Sequence, residues 1–215
     1  MGQNYQIEME QIIKNLHNEK KKLFLHSCCA PCSSYVLEYL RKYFEITVFY
    51  YNPNISEQEE YQRRVIEQKR LIQEMNDAQP DLGRINIYEG NYDPAVYFEM
   101  IKGYEQDQEG GNRCQICFTM RLDETARVAA KEGFDYFATT LTISPLKNAE
   151  RLNQIGQQMA DKWSIPFLPS DFKKKNGYKR SIELSKEHDL YRQDYCGCIF
   201  SKVERTKQMS EGGNN

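Results

Sequence analysis

Seven cysteines fall into three short clusters, and none lies outside them. The clusters are Cys28, Cys29 and Cys32 in SCCAPCSS, Cys114 and Cys117 in CQIC, and Cys196 and Cys198 in YCGC. A thiolate is a soft donor and a good nucleophile, so thiols gathered from distant segments are typical of metal sites, redox disulfides or both. The clustering therefore predicts soft-metal or redox chemistry and disfavours scattered core thiols.

The spacing within each cluster leaves the kind of thiol chemistry open. The CQIC motif supplies two donors from one turn of chain, which suits zinc or an iron-sulfur cluster. Adjacent cysteines, as in SCCAPCSS, are uncommon in structural zinc sites and favour a functional metal cluster. A disulfide within CGC would close a small, strained ring that is readily reduced, but these two thiolates could equally be further metal ligands.

Three other positions carry polar groups whose roles stay open. His26, just before the first cluster, could tune or ligate a metal, but a lone strand histidine is more often structural. Asp171 could ligate iron or transfer a proton, and it could equally cap a helix. Ser144 and Pro145 have the residue types of a helix start, whose free amides would favour an anion. The sequence has no G-x-x-x-x-G-K-S/T motif, so it does not support a P-loop.

Charge is balanced over the whole chain and concentrated in one segment. The 29 basic and 31 acidic residues give a formal charge of −2, which does not indicate nucleic-acid binding. Residues 173–180, however, contain five cations and Tyr178. This basic segment is either a phosphate-binding loop with an aromatic stacking platform or a solvated surface loop.

Length and cysteine usage predict a cytoplasmic protein. A chain of 215 residues can bury a sizeable core in one domain without cross-links. The cysteine number is odd and the first residues have no apolar signal region, so we expect a reducing cytoplasm. No run approaches the roughly 20 apolar residues that cross a bilayer, so we expect a soluble protein with no membrane partner.

Hydrophobic periodicity predicts alternating strands and helices. The predicted strands are 22–26, 46–51, 85–88, 134–141 and 165–168. The predicted helices are 5–20, 33–44, one after a capping box formed by Ser56 and Glu59, one from Asp93 and Pro94 to about 102, one starting at CQIC, 148–162, and one from Arg180 toward YCGC.

This alternation predicts an α/β fold with a mainly parallel sheet and right-handed crossovers. Ligands of such sheets bind beyond the carboxyl ends of the strands. The segments SCCAPCSS, YYNPN, TTLTISPLK and PSDFKKK each follow a predicted strand, so we expect all four to meet at one edge. We expect a helical appendage over 1–21, a single α/β catalytic domain over 22–202, and a tail over 203–215 whose last residues, SEGGNN, are disordered.

The motifs together resemble those of the QueH-type epoxyqueuosine reductases. The resemblance runs from about residue 22 to residue 202 and rests on LHSCCAPCSSY, YYNPNI with EYQRR behind it, CQICFTMRLDETA, GFDYFATTLTISPLK, FLPSDFKKKNGY and LYRQDYCGCIFS. It implies a Rossmann-like fold of the HUP type. It also implies cobalamin-independent reduction of the epoxide of epoxyqueuosine, in the wobble position of a tRNA anticodon, to queuosine. This is the last step of tRNA queuosine biosynthesis.

The resemblance also implies roles for the cysteines. Cys28, Cys29, Cys114 and Cys117 would hold a 4Fe-4S cluster, and Cys196 with Cys198 would form a redox-active disulfide. A second, mononuclear iron is associated with the family, and Cys32 and Asp171 are the candidates for it here. An iron with an open coordination position would act as a Lewis acid toward the epoxide oxygen.

A tRNA substrate and an unidentified electron donor are the partners that this activity requires. The candidate contacts to the anticodon loop are cationic, aromatic or amide side chains near the strand ends. They are Tyr51, Asn52, Arg121, Lys147, Lys173, Tyr178 and Arg192, with the rest of the basic segment.

Two other functions fit the cysteine pattern. A zinc-stabilised RNA-binding module would bind tRNA without iron. A thiol-disulfide oxidoreductase would need only Cys196 and Cys198 and would act on protein substrates.

Overall fold

The computed structural model describes residues 3–17 and 19–212. Within them the chain forms four strands and eight α-helices. The strands are β1 (Lys21–His26), β2 (Phe44–Tyr50), β3 (Asn86–Glu89) and β4 (Tyr136–Thr139). The helices are α1 (Tyr5–Lys14), α2 (Ala30–Leu40), α3 (Gln58–Ala78), α4 (Pro94–Met100), α5 (Asn112–Lys131), α6 (Ala149–Trp163), α7 (Gly177–Glu187) and α8 (Ile199–Gly212).

The four strands form one parallel sheet in the order β3-β2-β1-β4. The two central strands, β1 and β2, are buried on both faces, so their sequences are nearly continuous apolar runs. The strand order reverses between β1 and β4, which is the topological switch point of Rossmann-like folds. The predicted α/β class is confirmed, and the order agrees with the HUP-type fold that the resemblance implies.

Helices cover both faces of the sheet. Alternate β1 residues point to opposite faces, so Leu23 and Leu25 pack with α1, α2 and α3, whereas Phe24 packs with α5 and α6. Met9 of α1 is fully buried in the first of these cores. The sheet is thus held between two apolar layers, which fixes the positions of its strand ends.

The predicted fifth strand is reduced to a single bridge between Phe167 and Phe137 of β4. Phe137 donates its amide to the Pro166 carbonyl at 3.0 Å and accepts the Leu168 amide at 2.9 Å. Proline has no amide hydrogen, so Pro166 cannot donate to a ladder. The chain therefore touches the sheet edge here without forming a regular strand.

The structure confirms the predicted helix starts at Asp93 and Asn148 but not those expected at Ser56 and Ser144. Asp93 caps α4 by accepting the Ala95 amide, as expected. The capping box at Ser56 does not form, because α3 begins at Gln58 and the Ser56 hydroxyl accepts the Ile199 amide instead. Ser144 and Pro145 lie in a turn, and Asn148 caps α6 by accepting the Arg151 amide.

Other predicted boundaries also shift. Helix α1 ends at Lys14 rather than near residue 20, and α7 begins at Gly177 rather than at Arg180. Residues 210–212, expected to be disordered, continue α8, and residues 213–215 lie outside the described part of the chain. The domain boundaries at 22 and 202 remain a prediction, since α8 runs across the second. No helix among the described residues is long and apolar enough to span a bilayer.

Candidate metal and redox site

The loops that follow the strands meet at one edge of the sheet, as predicted. His26 at the end of β1 contacts the Thr139 hydroxyl at the end of β4 at 3.0 Å. Asn52, after β2, donates to the Ser27 carbonyl at 2.8 Å. The Ser170 hydroxyl lies 3.0 Å from that of Thr142, which joins the PSDFKKK and TTLTISPLK segments.

Cys28, Cys29 and Cys32 form the thiol group of this edge. Their sulfur atoms all lie within 4.8 Å of one another, and Cys28 and Cys29 are buried. Cys29 is the N-cap of α2, so the three thiols surround the start of that helix. Three soft donors at this separation are chemically suited to a metal.

Hydrogen bonding makes the three thiols unequal as acids. Contacts from Cys29 and Cys32 hold the pKa of Cys28 well below its ordinary value, and Lys147 and Arg121 lower it further. Burial raises the pKa of Cys29 to about 12, and the contacts to Cys28 and Cys29 raise that of Cys32. The group therefore favours a Cys28 thiolate that accepts from two neutral thiols.

The CQIC cysteines lie in the first turns of α5. Cys114 accepts the Gly110 amide at 3.2 Å, and the Arg121 guanidinium donates to Cys117 at 3.8 Å. Burial raises the pKa of Cys114 to about 11 and that of Cys117 to about 12. In the described part of the chain, only Cys32 joins Cys28 and Cys29 within 4.8 Å, so the structure does not bring the CQIC thiols that close.

Arg121 links the two sets of thiols from the interior. It is 1% exposed and donates to Cys117, to His26 Nε2 at 3.2 Å and to Asn52 Oδ1 at 2.8 Å. No carboxylate among the described residues pairs with it. A contact to tRNA phosphates would need an exposed side chain, so the structure gives Arg121 a different position from the one expected. Asn52 is likewise 1% exposed.

His26 is a buried structural residue. Burial lowers its pKa to about 3, and the charge of Arg121 lowers it further. The ring is therefore neutral. Its Nε2 lies 3.2 Å from both the Arg121 guanidinium, a donor, and the Tyr51 carbonyl, an acceptor, and its Nδ1 lies 3.0 Å from the Thr139 hydroxyl. The structural interpretation of this histidine agrees with these contacts.

Cys196 and Cys198 lie in an irregular segment that helix α3 and the loop before it hold in place. Both are free thiols here, and Cys198 is buried. Arg64 donates to the Cys196 carbonyl at 3.2 Å and pairs with Glu60 at 2.6 Å. The Ser56 amide donates to the Gly197 carbonyl at 3.1 Å. The backbone of the CGC motif is thus fixed on both sides.

Asp171 and the basic segment are largely committed to internal ion pairs. Lys173 lies 2.9 Å from Asp171 and donates to the Thr142 carbonyl at 3.0 Å. Lys175 pairs with Glu10, and Arg180 pairs with three glutamates. Asp171 is outside the thiol group that could hold a metal.

A cavity of about 1190 Å³ opens beside the thiols. Cys28, Cys32, Cys196, Lys147, Tyr178 and Arg192 contribute to its lining. Tyr51 is not part of this lining and instead stacks on Phe49 at 5.6 Å. Of the expected substrate contacts, Lys147, Tyr178 and Arg192 are therefore the ones that the structure places at the cavity.

Sequence reasoning missed Arg64, Glu60 and Ser56 as supports of the CGC motif. Arg64 is 2% exposed although it belongs to a charged run. Its spacing of three from buried Tyr61 is the one signal of its position, since i and i+3 share a helix face. Arg121 has a similar signal, because it follows Cys117 by four residues.

Comparison with known proteins identifies the family of this chain. A family model described as Epoxyqueuosine reductase QueH matches residues 23–204. Proteins named epoxyqueuosine reductase QueH are 43% identical over 200 residues in Streptococcus pyogenes serotype M1 and 33% identical over 192 residues in Thermotoga maritima. The first alignment covers 92% of this chain and 78% of the Streptococcus pyogenes protein. The second covers 88% of this chain and 94% of the Thermotoga maritima protein. The chain belongs to the QueH family of epoxyqueuosine reductases.

Proposed function

We propose that this protein reduces the epoxide of epoxyqueuosine, in the wobble position of a tRNA anticodon, to the cyclopentene of queuosine. The reaction needs two electrons and two protons, releases water and uses no cobalamin. The observation that carries the proposal is the thiol group of Cys28, Cys29 and Cys32, which lies at the ligand-binding edge of the sheet beside a large cavity. Membership of the QueH family supports it independently.

The charges around the thiols fit a metal-thiolate centre. Arg121 is a buried cation with no carboxylate partner in the described residues, and Lys147 lies near Cys28 and Cys32. A buried charge is costly unless it is compensated, so these cations favour an anionic group beside them. A cluster held by several thiolates supplies that negative charge.

We assign Cys28, Cys29, Cys114 and Cys117 to a 4Fe-4S cluster, which would supply electrons one at a time when bound. Cys32 is the third thiol of the close group, so on distance alone it is a stronger candidate ligand than the CQIC cysteines, which lie outside that group. We assign Cys32 to a second iron. Asp171 is a weaker candidate for that iron, because its carboxylate pairs with Lys173.

Other residues of the site hold the reacting parts in place. The network of His26, Arg121 and Asn52 ties the end of β1 to α5. Arg64 and Ser56 fix the CGC backbone, where we propose that Cys196 and Cys198 exchange between dithiol and disulfide to pass or store reducing equivalents.

The cavity gives the tRNA nucleotide a place to bind. Its volume exceeds the roughly 300–1,000 Å³ of sites for small organic ligands, so it can take a nucleoside with part of its flanking backbone. Tyr178 at its rim can stack a base, and Arg192 can meet a phosphate. We place the reaction in the cytoplasm, where tRNA is modified, with an electron donor that the structure does not identify.

The metal assignment is tested by purifying the protein without oxygen and measuring iron and acid-labile sulfide. We expect a brown protein with about four sulfides and at least as many irons per chain. Serine variants of Cys28, Cys29, Cys114 and Cys117 should each lose most of the sulfide, whereas a Cys32 variant should keep it and lose iron. About one zinc per chain with no sulfide would contradict the assignment and support a zinc-stabilised module.

A further inference from the structure

Lys147 occupies a defined position at the cavity. A 3₁₀ turn over Thr140–Ile143 follows β4, and a second turn after it ends at Lys147. The Lys147 amide donates to the Ser144 carbonyl at 3.2 Å. The side chain is half-buried and lines the cavity together with Cys28, Cys32 and Cys196. The ammonium is thus presented to the thiols from the β4 side.

Lys147 differs from the arginines of the same cavity because its donors are free. Arg64 pairs with Glu60, Arg113 pairs with Glu204, and Arg192 donates to the Ser185 hydroxyl. No hydrogen bond or ion pair joins the Lys147 ammonium to any other residue in the ranges that the structure describes. Three N–H donors are therefore available to a ligand in the cavity.

An ammonium is the ordinary state of a lysine side chain at neutral pH. Lys147 shares its cavity with Cys28, Cys32 and Cys196, so an anionic metal-thiolate centre held by these thiols would lie beside a cation.

Epoxide reduction develops negative charge on one oxygen atom. Two C–O bonds break and a C=C bond forms, with two electrons entering and two protons joining the oxygen to give water. Until the protons arrive, the oxygen carries an alkoxide-like charge. A fixed cationic donor aimed at such an oxygen lowers the barrier, because it is already oriented when the charge appears.

We propose that Lys147 is a catalytic residue whose ammonium donates a hydrogen bond to the epoxide oxygen and stabilises its charge as the C–O bonds break. An external one-electron reductant supplies the two electrons, and solvent supplies the two protons. This role rests on the proposed function and replaces the phosphate contact expected from the sequence.

The test compares Lys147→Met and Lys147→Arg with Lys162→Met, a matched control. Lys162 is half-exposed and pairs with Asp123. With iron-loaded protein, epoxyqueuosine-containing tRNA and a strong reductant, Lys147→Met should lower kcat about 100- to 1,000-fold with KM and iron content unchanged. Lys147→Arg should keep an intermediate kcat, and Lys162→Met should match the unchanged protein.

A second variant separates catalysis from folding. Lys147→Ala should regain part of its kcat when ethylamine is added, whereas a structural defect would not respond to a small amine. Unchanged kcat in Lys147→Met, a raised KM alone, loss of iron, or absence of amine rescue would each overturn the role of Lys147. If the unchanged protein converts no epoxide, the proposed function fails as well, so the two failures are distinguishable.

Discussion

At the scale of single residues, the buried cation Arg121 explains why so many thiols can lie close together. Its guanidinium reaches Cys117, His26 and Asn52, and its charge is compensated by thiols rather than by a carboxylate. A methionine of similar length would keep the volume and lose the charge. Arg121 therefore holds the ligands in place and balances the charge of the metal-thiolate centre.

Replacing Arg121 with methionine should weaken iron binding about 10- to 100-fold, as is typical when a group that orients metal ligands is lost. The measurement is iron bound per folded chain during titration without oxygen. Arg41→Met is the matched control, because Arg41 is also 1% exposed and donates to the carbonyls of Met75, Gln79 and Gly83 away from the thiols. Equal iron affinity in both variants would contradict this role.

The sequence allowed the thiols to be predicted but not the charges around them. Clustered cysteines are visible in the sequence and indicate metal or redox chemistry, whereas the burial of an arginine depends on what packs against its helix. Arg121 was expected to contact the anticodon loop, which would need an exposed side chain, and it is 1% exposed. Lys147 was placed correctly at the strand ends, although the sequence alone does not separate a phosphate contact from a catalytic contact.

At the scale of secondary-structure elements, helix α3 and the loop before it hold the C-terminal cysteines. Gly197 has a φ of 117°, and a Cβ there would lie 2.8 Å from Ile55 and 3.2 Å from Arg64. A side chain at this position would therefore strain the backbone and would also clash with Ile55 and Arg64. Only glycine fits without a shift of its neighbours.

Gly197→Ala should lower the free energy of unfolding by about 1–2 kcal/mol from the backbone and a further 1–3 kcal/mol from the contacts. Gly103→Ala is the control, because Gly103 has a φ of 89° and nothing within 4 Å of an added Cβ. Chemical unfolding of both variants measures the difference. If both lose the same stability, the packed contact at Gly197 has no energetic role.

Glu67 joins α3 to the segment that leads to YCGC, since it accepts the Tyr191 amide at 2.7 Å and pairs with Arg70. The hydrogen bond from Arg70 lowers the pKa of this carboxyl. A carboxylate with a lowered folded pKa stabilises the protein above its unfolded pKa of about 4.3, and this contribution is lost as the pH falls through the folded value.

Glu67→Gln should therefore destabilise the protein by about 1–3 kcal/mol at pH 7, and the difference should shrink below pH 4 or so. Urea unfolding across this pH range provides the measurement. Glu59→Gln, at an exposed position of the same helix, should change stability little at any pH. A deficit of Glu67→Gln that persists unchanged at low pH would show that the carboxylate charge is not the cause.

The elements themselves were largely predictable, and their boundaries were not. Strand and helix periodicity gave β1 to β4 and the main helices, because burial on two faces leaves a clear pattern. The prediction of a fifth strand failed because Pro166 has no amide hydrogen to donate to a ladder. The capping box failed because the Ser56 hydroxyl binds Ile199, a partner 143 residues away that no local pattern can indicate.

At the scale of the whole molecule, the fold brings cysteines from two distant clusters, Cys28 and Cys32 from the first and Cys196 from the last, to one cavity. The strand order places the ends of β1 and β4 side by side, and Arg121 of α5 joins Cys117 of the CQIC motif to His26 at the end of β1. The chain then returns through α7 to place CGC against α3. Conversion of an epoxide needs reductant, acid and substrate pocket together, and this topology supplies a common place for them.

The most direct test of this account is nucleoside analysis of tRNA after reaction. Iron-loaded protein, a strong one-electron reductant and epoxyqueuosine-containing tRNA are incubated without oxygen and without cobalamin, beside a Cys28→Ser variant. We expect queuosine to replace epoxyqueuosine with the unchanged protein and no conversion with the variant. Epoxyqueuosine left intact by the iron-loaded protein would contradict the central claim.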